Sequence, residues 1–156
     1  MSINRNQKQG RSDMKSYVIT IILFVACFAN VEAQQKHSVI MTGLDVVPDV
    51  HTPASGGGEA WVESDTLYVR LKFENLQAPY YTSNIHYGEE GENGNPIYKL
   101  TPSLSEDHLS GTFDPENNKF ALSDAMKEAF ENGNLYITIA SEQHQRGELR
   151  GQIDGF

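Results

Sequence analysis

A strict alternation of apolar and polar residues between Thr66 and Glu74 constrains the fold of this chain more than any other feature. One face of this segment carries Leu67, Val69, Leu71 and Phe73, and the other carries polar or charged residues. A period of two is that of a β-strand with one buried face. We therefore predict a strand here, with its four apolar side chains in the core.

Weaker alternations of the same period occur elsewhere in the chain. They involve Leu135, Ile137 and Ile139, then Val39 and Met41, Ala60 and Val62, and Leu149 and Ile153. Segments rich in Gly, Pro, Asn and Asp separate these runs and predict turns. Short strands spaced by turns favour an antiparallel β-sandwich or barrel.

One helix is predicted between the strands. Ser123 is a favourable N-cap residue, and Leu122, Met126 and Phe130 recur at a spacing of four. Gly133 follows the run and is typical of a residue that ends a helix. The pattern predicts one short helix with an apolar face, which we expect to cover one end of the sandwich.

The first 33 residues have the pattern of a secretory signal peptide. Basic residues precede an apolar run of thirteen residues, 17–29, which is followed by Val31-Glu32-Ala33. The run is too short for a membrane span, which needs about 20 residues. We expect cleavage between Ala33 and Gln34, and a secreted, periplasmic or cell-envelope protein without a membrane span in its mature chain.

Cys27 is the only cysteine and allows a second interpretation. It could be the lipidated first residue of a lipoprotein, although Phe24 stands where a smaller aliphatic residue is usual. The Ala33 site favours ordinary cleavage. Residues 34–156 then carry no thiol, so their core must be stable without disulfides.

Residues 34–156 are acidic and long enough for one domain. They contain eight Lys and Arg against nineteen Asp and Glu, a formal charge of -11, while the full chain has -9. Such a charge argues against nucleic-acid binding through a basic face. About 65% of the unfolded surface of a chain this long is buried on folding, which is sufficient for one core.

An ordered series of short motifs resembles the CHRD domain, which is named after chordin and also occurs in exported bacterial proteins. The series runs from about His37 to Ile153 and contains Thr42-Gly43, Val47-Pro48, Thr52–Gly56, Leu67–Leu71, Asn84–Gly88, Asn93-Gly94, Gly133–Ile137 and Gly147–Gln152. The resemblance implies an all-β, antiparallel Greek-key sandwich of immunoglobulin-like or superoxide-dismutase-like topology. The family has no established catalytic activity.

The resemblance also implies a histidine pattern that this chain has largely lost. Family members commonly carry His-x-His where this chain has Asn84 and His86, and a further His near Ala140. Three such residues could form a copper or zinc site, whereas His86 alone could not. We expect no metal and no other cofactor, and interpret His86 as a hydrogen-bonded strand histidine. A superoxide-dismutase-like metal protein is the alternative.

Glu148 and Arg150 stand at positions i and i+2 of a predicted strand, so their side chains share a face. They could form a polar recognition pair, or a cross-strand salt bridge of purely structural value. By analogy with the family, His86 lies near them. His86 with Glu148 is then the one acid–base couple worth naming.

Two further groups are open to more than one interpretation. The segment from Glu89 to Asn95 offers many oxygens, which suit calcium, but its glycines and asparagines are also typical of a solvated turn. Trp61, with Tyr68, Tyr80 and Tyr81, could form an aromatic patch for a glycan or protein.

No nucleophile or phosphate-binding motif stands out in the chain. The sequence therefore favours an exported, non-enzymatic protein with a binding or architectural role at the cell envelope or outside the cell. Its partner would be a protein or a glycan of unknown identity.

Overall fold

The computed structural model describes residues 35–155. The predicted signal peptide, its cleavage site between Ala33 and Gln34, and Cys27 lie outside the described residues. Within them, ten strands and one helix follow in the order β1 (Lys36–Met41), β2 (Ser55–Glu63), β3 (Thr66–Glu74), β4 (Tyr80–Tyr87), β5 (Pro96–Lys99), β6 (Ser103–Leu104), β7 (Gly111–Phe113), β8 (Lys119–Ala121), α1 (Asp124–Glu131), β9 (Leu135–Ser141) and β10 (Leu149–Ile153).

The strands form two antiparallel sheets. Sheet A has the order β1-β2-β3-β7-β6, with β8 also paired to β3, and sheet B has the order β10-β9-β4-β5. Thr42 and Arg150 exchange two backbone hydrogen bonds of 3.0 Å, which join the β1 edge of sheet A to the β10 edge of sheet B. The predicted antiparallel sandwich with one short helix is confirmed.

The core lies between the two sheets and contains the residues that the alternation selected. Every predicted core side chain of β3 and β9 is at most 3% exposed: Leu67, Val69, Leu71, Phe73, Leu135, Ile137 and Ile139. Successive residues of a strand point to opposite faces, so the buried set of each strand faces the other sheet. The burial prediction is confirmed.

The helix α1 has the predicted boundaries. The side chain of Ser123 accepts a hydrogen bond from Met126 N, and Gly133, with φ 70°, follows the last turn. Phe130 is 2% exposed and belongs to the core. No helix among residues 35–155 is long and apolar enough to cross a membrane.

Candidate functional site

The outer face of sheet B is covered by its own chain. All seven residues of β9 are buried, including Tyr136 and Thr138, which point away from the core. Residues 88–95, which we call the covering loop, connect β4 to β5 and fold back over this face. The predicted site residues His86 and Arg150 lie under or beside the loop.

Arg150 holds the covering loop through the loop's backbone. Its guanidinium donates hydrogen bonds to Glu92 O at 2.7 Å and Glu89 O at 2.8 Å, and lies 3.7 Å from the centre of the Tyr136 ring. The residue is only 2% exposed. Two carbonyl acceptors and a cation–π contact therefore stabilise the buried positive charge of this side chain.

Gln152 and Tyr136 complete this attachment. Gln152 Nε2 donates to Gly88 O at 3.0 Å, and the Tyr136 hydroxyl accepts a hydrogen bond from Gly94 N at 2.8 Å. A Cβ atom at Gly94 would lie 1.6 Å from Tyr87 O, so only glycine fits this close approach. The loop is thus fixed at both ends.

His86 contacts the same loop from β4. Nδ1 bonds to Gly94 O at 3.0 Å, so Nδ1 carries the proton, and Nε2 accepts from the Thr138 hydroxyl at 3.0 Å. The ring stacks on Tyr136. Burial lowers the pKa of His86 and the charge of Arg150 lowers it further, while the Gly94 hydrogen bond opposes them. The neutral form is therefore favoured.

Glu148 lies immediately before β10 and ties two other connections together. Its carboxylate is 0% exposed, and Oε1 accepts hydrogen bonds from Thr52 Oγ1 at 2.5 Å and Gln77 N at 2.9 Å. Oε2 is buried and has no hydrogen-bond partner among the described residues. Glu148 therefore joins the connection before β2 to the one after β3.

These contacts correct two predictions. The first prediction was a salt bridge between Glu148 and Arg150, or from either residue to a neighbouring strand. It is wrong, since within residues 35–155 no ion pair involves either side chain. The pairing of His86 with Glu148 is also wrong, because each has its own separate partners. The residues that the structure does bring together are His86 and Arg150, which both contact Tyr136.

The residues at the family's histidine positions do not fit a copper or zinc site. Both nitrogens of His86 are engaged by protein groups, and Ala140 has no donor atom in its side chain. Asn84 pairs with Thr138 in the β4–β9 register. Among the described residues, no cluster of three or more His, Cys, Asp or Glu could hold a metal ion. The carboxylates of Glu89, Glu90 and Glu92 lie on exposed residues of the covering loop.

The four aromatic residues do not form one exposed patch. Trp61 is 6% exposed because Lys36 Nζ and the Arg70 guanidinium lie over its ring and Tyr68 stacks beside it. These residues belong to sheet A. Tyr80 and Tyr81 instead lie on β4 of sheet B, where Tyr80 packs on Phe73 and only Tyr81 is exposed.

A cleft of about 410 Å³ opens where β1 and β10 meet, between the covering loop and the connection after β1. Its walls contain Ser38, Ile40, Leu44, Asp45, Val47, Glu90, Gly91, Arg150, Gln152 and Asp154. Ile40 is 72% exposed and Leu44 is 68% exposed. Sequence reasoning singled out Arg150, and Glu90 and Gly91 within a possible calcium loop, but it did not predict this cleft. The available signal was Ile40, an apolar residue at a position of β1 whose alternation predicts a solvent-facing side chain.

The model of the CHRD domain family matches residues 37–153. The chain belongs to the CHRD family. No curated protein and no solved structure matches it. In this CHRD domain, the motif Gly147–Gln152 places three polar side chains whose contacts are with other parts of the domain: Glu148 ties two connections, while Arg150 and Gln152 hold the covering loop.

Proposed function

We propose that this CHRD protein is exported and has a non-enzymatic binding role, with the cleft between β1 and β10 as its recognition surface. One observation carries the proposal. Three polar side chains could take part in chemistry: Glu148, Arg150 and His86. Their hydrogen bonds are made to other groups of the same domain. The cleft that Arg150 lines exposes large apolar side chains instead.

The contacts of these groups argue against catalysis. A general acid or base must reach within hydrogen-bond distance of the proton that it transfers. Glu148 is fully buried, and the Nε2 atom of His86 already accepts a hydrogen bond from Thr138. Their arrangement supports a role in shaping the cleft and its rim.

Export is supported by the basic and apolar pattern of residues 1–33 and by the Ala33 site. N-terminal sequencing of the protein recovered from its medium or envelope tests this step. We expect Gln34 as the first residue. A chain that starts at a lipidated Cys27 would contradict the cleavage site, and a chain that keeps residues 17–29 would contradict export by this route.

The binding role is tested by capture from the native medium or envelope on the immobilised protein, followed by mass spectrometry and glycan analysis. We expect a specific protein or glycan to be retained, and to be lost when Ile40→Ser and Leu44→Ser are combined. A matched control is Tyr81→Ser, which removes an apolar side chain of similar exposure on β4. A result with no retained partner would contradict the proposal.

Elemental analysis tests the alternative, a superoxide-dismutase-like metal protein. We expect no stoichiometric copper or zinc in the purified protein and no superoxide dismutase activity. His86→Ala is the control. About one equivalent of metal, lost in this variant, would overturn the non-metal assignment and reopen the enzymatic alternative.

A further inference from the structure

We propose that the cleft binds an extended segment of a partner protein in which a lysine or arginine stands two positions from a large apolar residue. The inference rests on the proposed function, since it names the chemistry of the partner at the same surface. Three features of the cleft carry it: the apolar wall, the sign of its exposed charge and its fixed rim.

The apolar wall is formed by Ile40 and Leu44, with Val47 beside them. Among the described residues, four large hydrophobic side chains are exposed, and Ile40 and Leu44 are the most exposed of them. The other two, Tyr81 and Tyr87, do not line this cleft. Exposed apolar side chains gathered at one concave surface are typical of an interaction site. They select a partner with a large apolar side chain.

The exposed charge of the cleft is negative. Asp45, Glu90 and Asp154 lie on its walls as exposed residues, whereas Arg150 is enclosed and directs its donors to loop carbonyls. No other lysine or arginine of residues 35–155 lines the cleft. A basic side chain complements this surface, and an acidic glycan or a nucleic acid would be repelled.

The cleft also favours a peptide over a neutral glycan. Its lining includes no Trp, Tyr or Phe within the described part of the chain, so a sugar ring would find no flat aromatic surface on which to pack. The isolated aliphatic side chains and the carboxylates of the cleft suit an apolar and a basic side chain on the same face of a peptide. In an extended peptide such side chains belong to residues i and i+2, which lie about 6 to 7 Å apart.

Hydrogen bonds within the domain fix the rim of the cleft in the absence of a partner. Asn93 Nδ2 donates to Val47 O at 2.8 Å, which ties the covering loop to the connection after β1. Arg150 and Gln152 fix the same loop from β10. A surface held by such contacts loses little conformational freedom on binding, which favours recognition of a short segment.

Selection from a displayed library of random twelve-residue peptides on the immobilised full chain tests the inference. We expect the selected peptides to be enriched in lysine or arginine two positions from leucine, isoleucine, phenylalanine or tryptophan. The double variant Ile40→Ser/Leu44→Ser should weaken their binding at least tenfold. Asp45→Asn/Glu90→Gln should weaken it severalfold and reduce its dependence on salt.

The matched control is Tyr81→Ser/Glu106→Gln, which removes one exposed apolar and one acidic side chain away from the cleft. It should leave binding within twofold of the unmodified protein. All variants change exposed residues, and circular dichroism and thermal melting verify their folding.

Three results would overturn the inference: no enrichment above an unrelated domain, selected peptides without basic residues, or binding that both cleft variants retain. These failures are distinct from failure of the proposed function. A glycan captured by the unmodified protein and lost in the cleft variant would contradict this inference while leaving the binding role in place.

Discussion

The strands β3 and β9 lie inside their respective sheets and bury the same kind of side chains between them, yet their outer faces differ. On β3, Arg70 and Lys72 are exposed and Tyr68 is half-buried. On β9, Tyr136 is 2% exposed and Thr138 is 8% exposed. The difference comes from the covering loop, which lies over sheet B. A strand such as β9, whose sequence alternates between apolar and other residues, can thus be buried on both faces.

The two outer faces are also held by different interactions. On sheet A, Glu59 pairs with Lys36 and with Arg70, each at 2.9 Å, and the Arg70 side chain is 56% exposed. Such exposed pairs contribute about 0 to 1 kcal/mol. On sheet B, the enclosed Arg150 bonds to backbone carbonyls, and charged hydrogen bonds of this kind contribute about 1.5 to 3 kcal/mol. The covered face should therefore be the more sensitive to substitution.

The inner faces should be equally sensitive. Leu71→Ala in β3 and Ile137→Ala in β9 should each lower the free energy of unfolding by about 2 to 5 kcal/mol, because each leaves a cavity in the shared core. Urea denaturation measures both. A near-neutral effect of Leu71→Ala or of Ile137→Ala would contradict the burial of that side chain.

Substitutions on the two outer faces should have different effects on the free energy of unfolding. Arg150→Met should cost about 2 to 4 kcal/mol, since it removes the charged donor to Glu92 O, one of the two donors to Glu89 O and the contact with the Tyr136 ring. Arg70→Met removes the same charge from sheet A and should cost about 0 to 1 kcal/mol. Equal midpoints in urea for the two variants would contradict the role that we assign to the covering loop.

The sequence was sufficient to predict what depends on local pattern. The spacing of Leu67 and Phe73 alone predicts the core face of β3, and Ser123 with Gly133 predicts both ends of the helix. These features arise from side chains close together in the chain. They do not require knowledge of which distant segment lies opposite.

The candidate site was beyond such reasoning because its contacts are distant in sequence and involve the backbone. Arg150 bonds to carbonyls 58 and 61 residues away, and carbonyls leave no trace in a pattern of side chains. The spacing of Glu148 and Arg150 predicted a shared face of one strand, but β10 begins only at Leu149 and the two side chains contact different segments. It could not identify Thr52 and Gln77 as the partners of Glu148, since both lie in connections between strands.

A smaller difference is expected for the two tyrosines on the outer faces. Tyr136→Phe removes the acceptor of the Gly94 N–H group, so it should cost about 0.5 to 1.5 kcal/mol. Tyr68→Phe on sheet A should change stability by less than about 0.5 kcal/mol. Thermal melting compares them, and amide exchange at Gly94 should quicken only in the first variant. Unchanged exchange there would contradict the attachment of the loop through Tyr136.

The smallest expected effect is a pH dependence confined to the covered face. His86 has a lowered pKa in the folded protein, so between that value and about 6.5 the unfolded chain binds more protons. The stability linked to neutral His86 is therefore complete above about pH 6.5 and is lost as the pH falls through the folded pKa. The melting temperature should fall between pH 7 and 5, and less steeply in His86→Gln.

His51 provides the matched control for this pH dependence, because its side chain is 89% exposed. His51→Gln makes the same substitution outside the covered face and is measured beside His86→Gln. A reduced slope in His86→Gln alone would assign the effect to the stacked imidazole beside Arg150, where a second positive charge is unfavourable. Parallel curves for the unmodified protein and His86→Gln would instead mean that protonated His86 is accommodated under the loop, and that the covered face responds to pH no more than the open one.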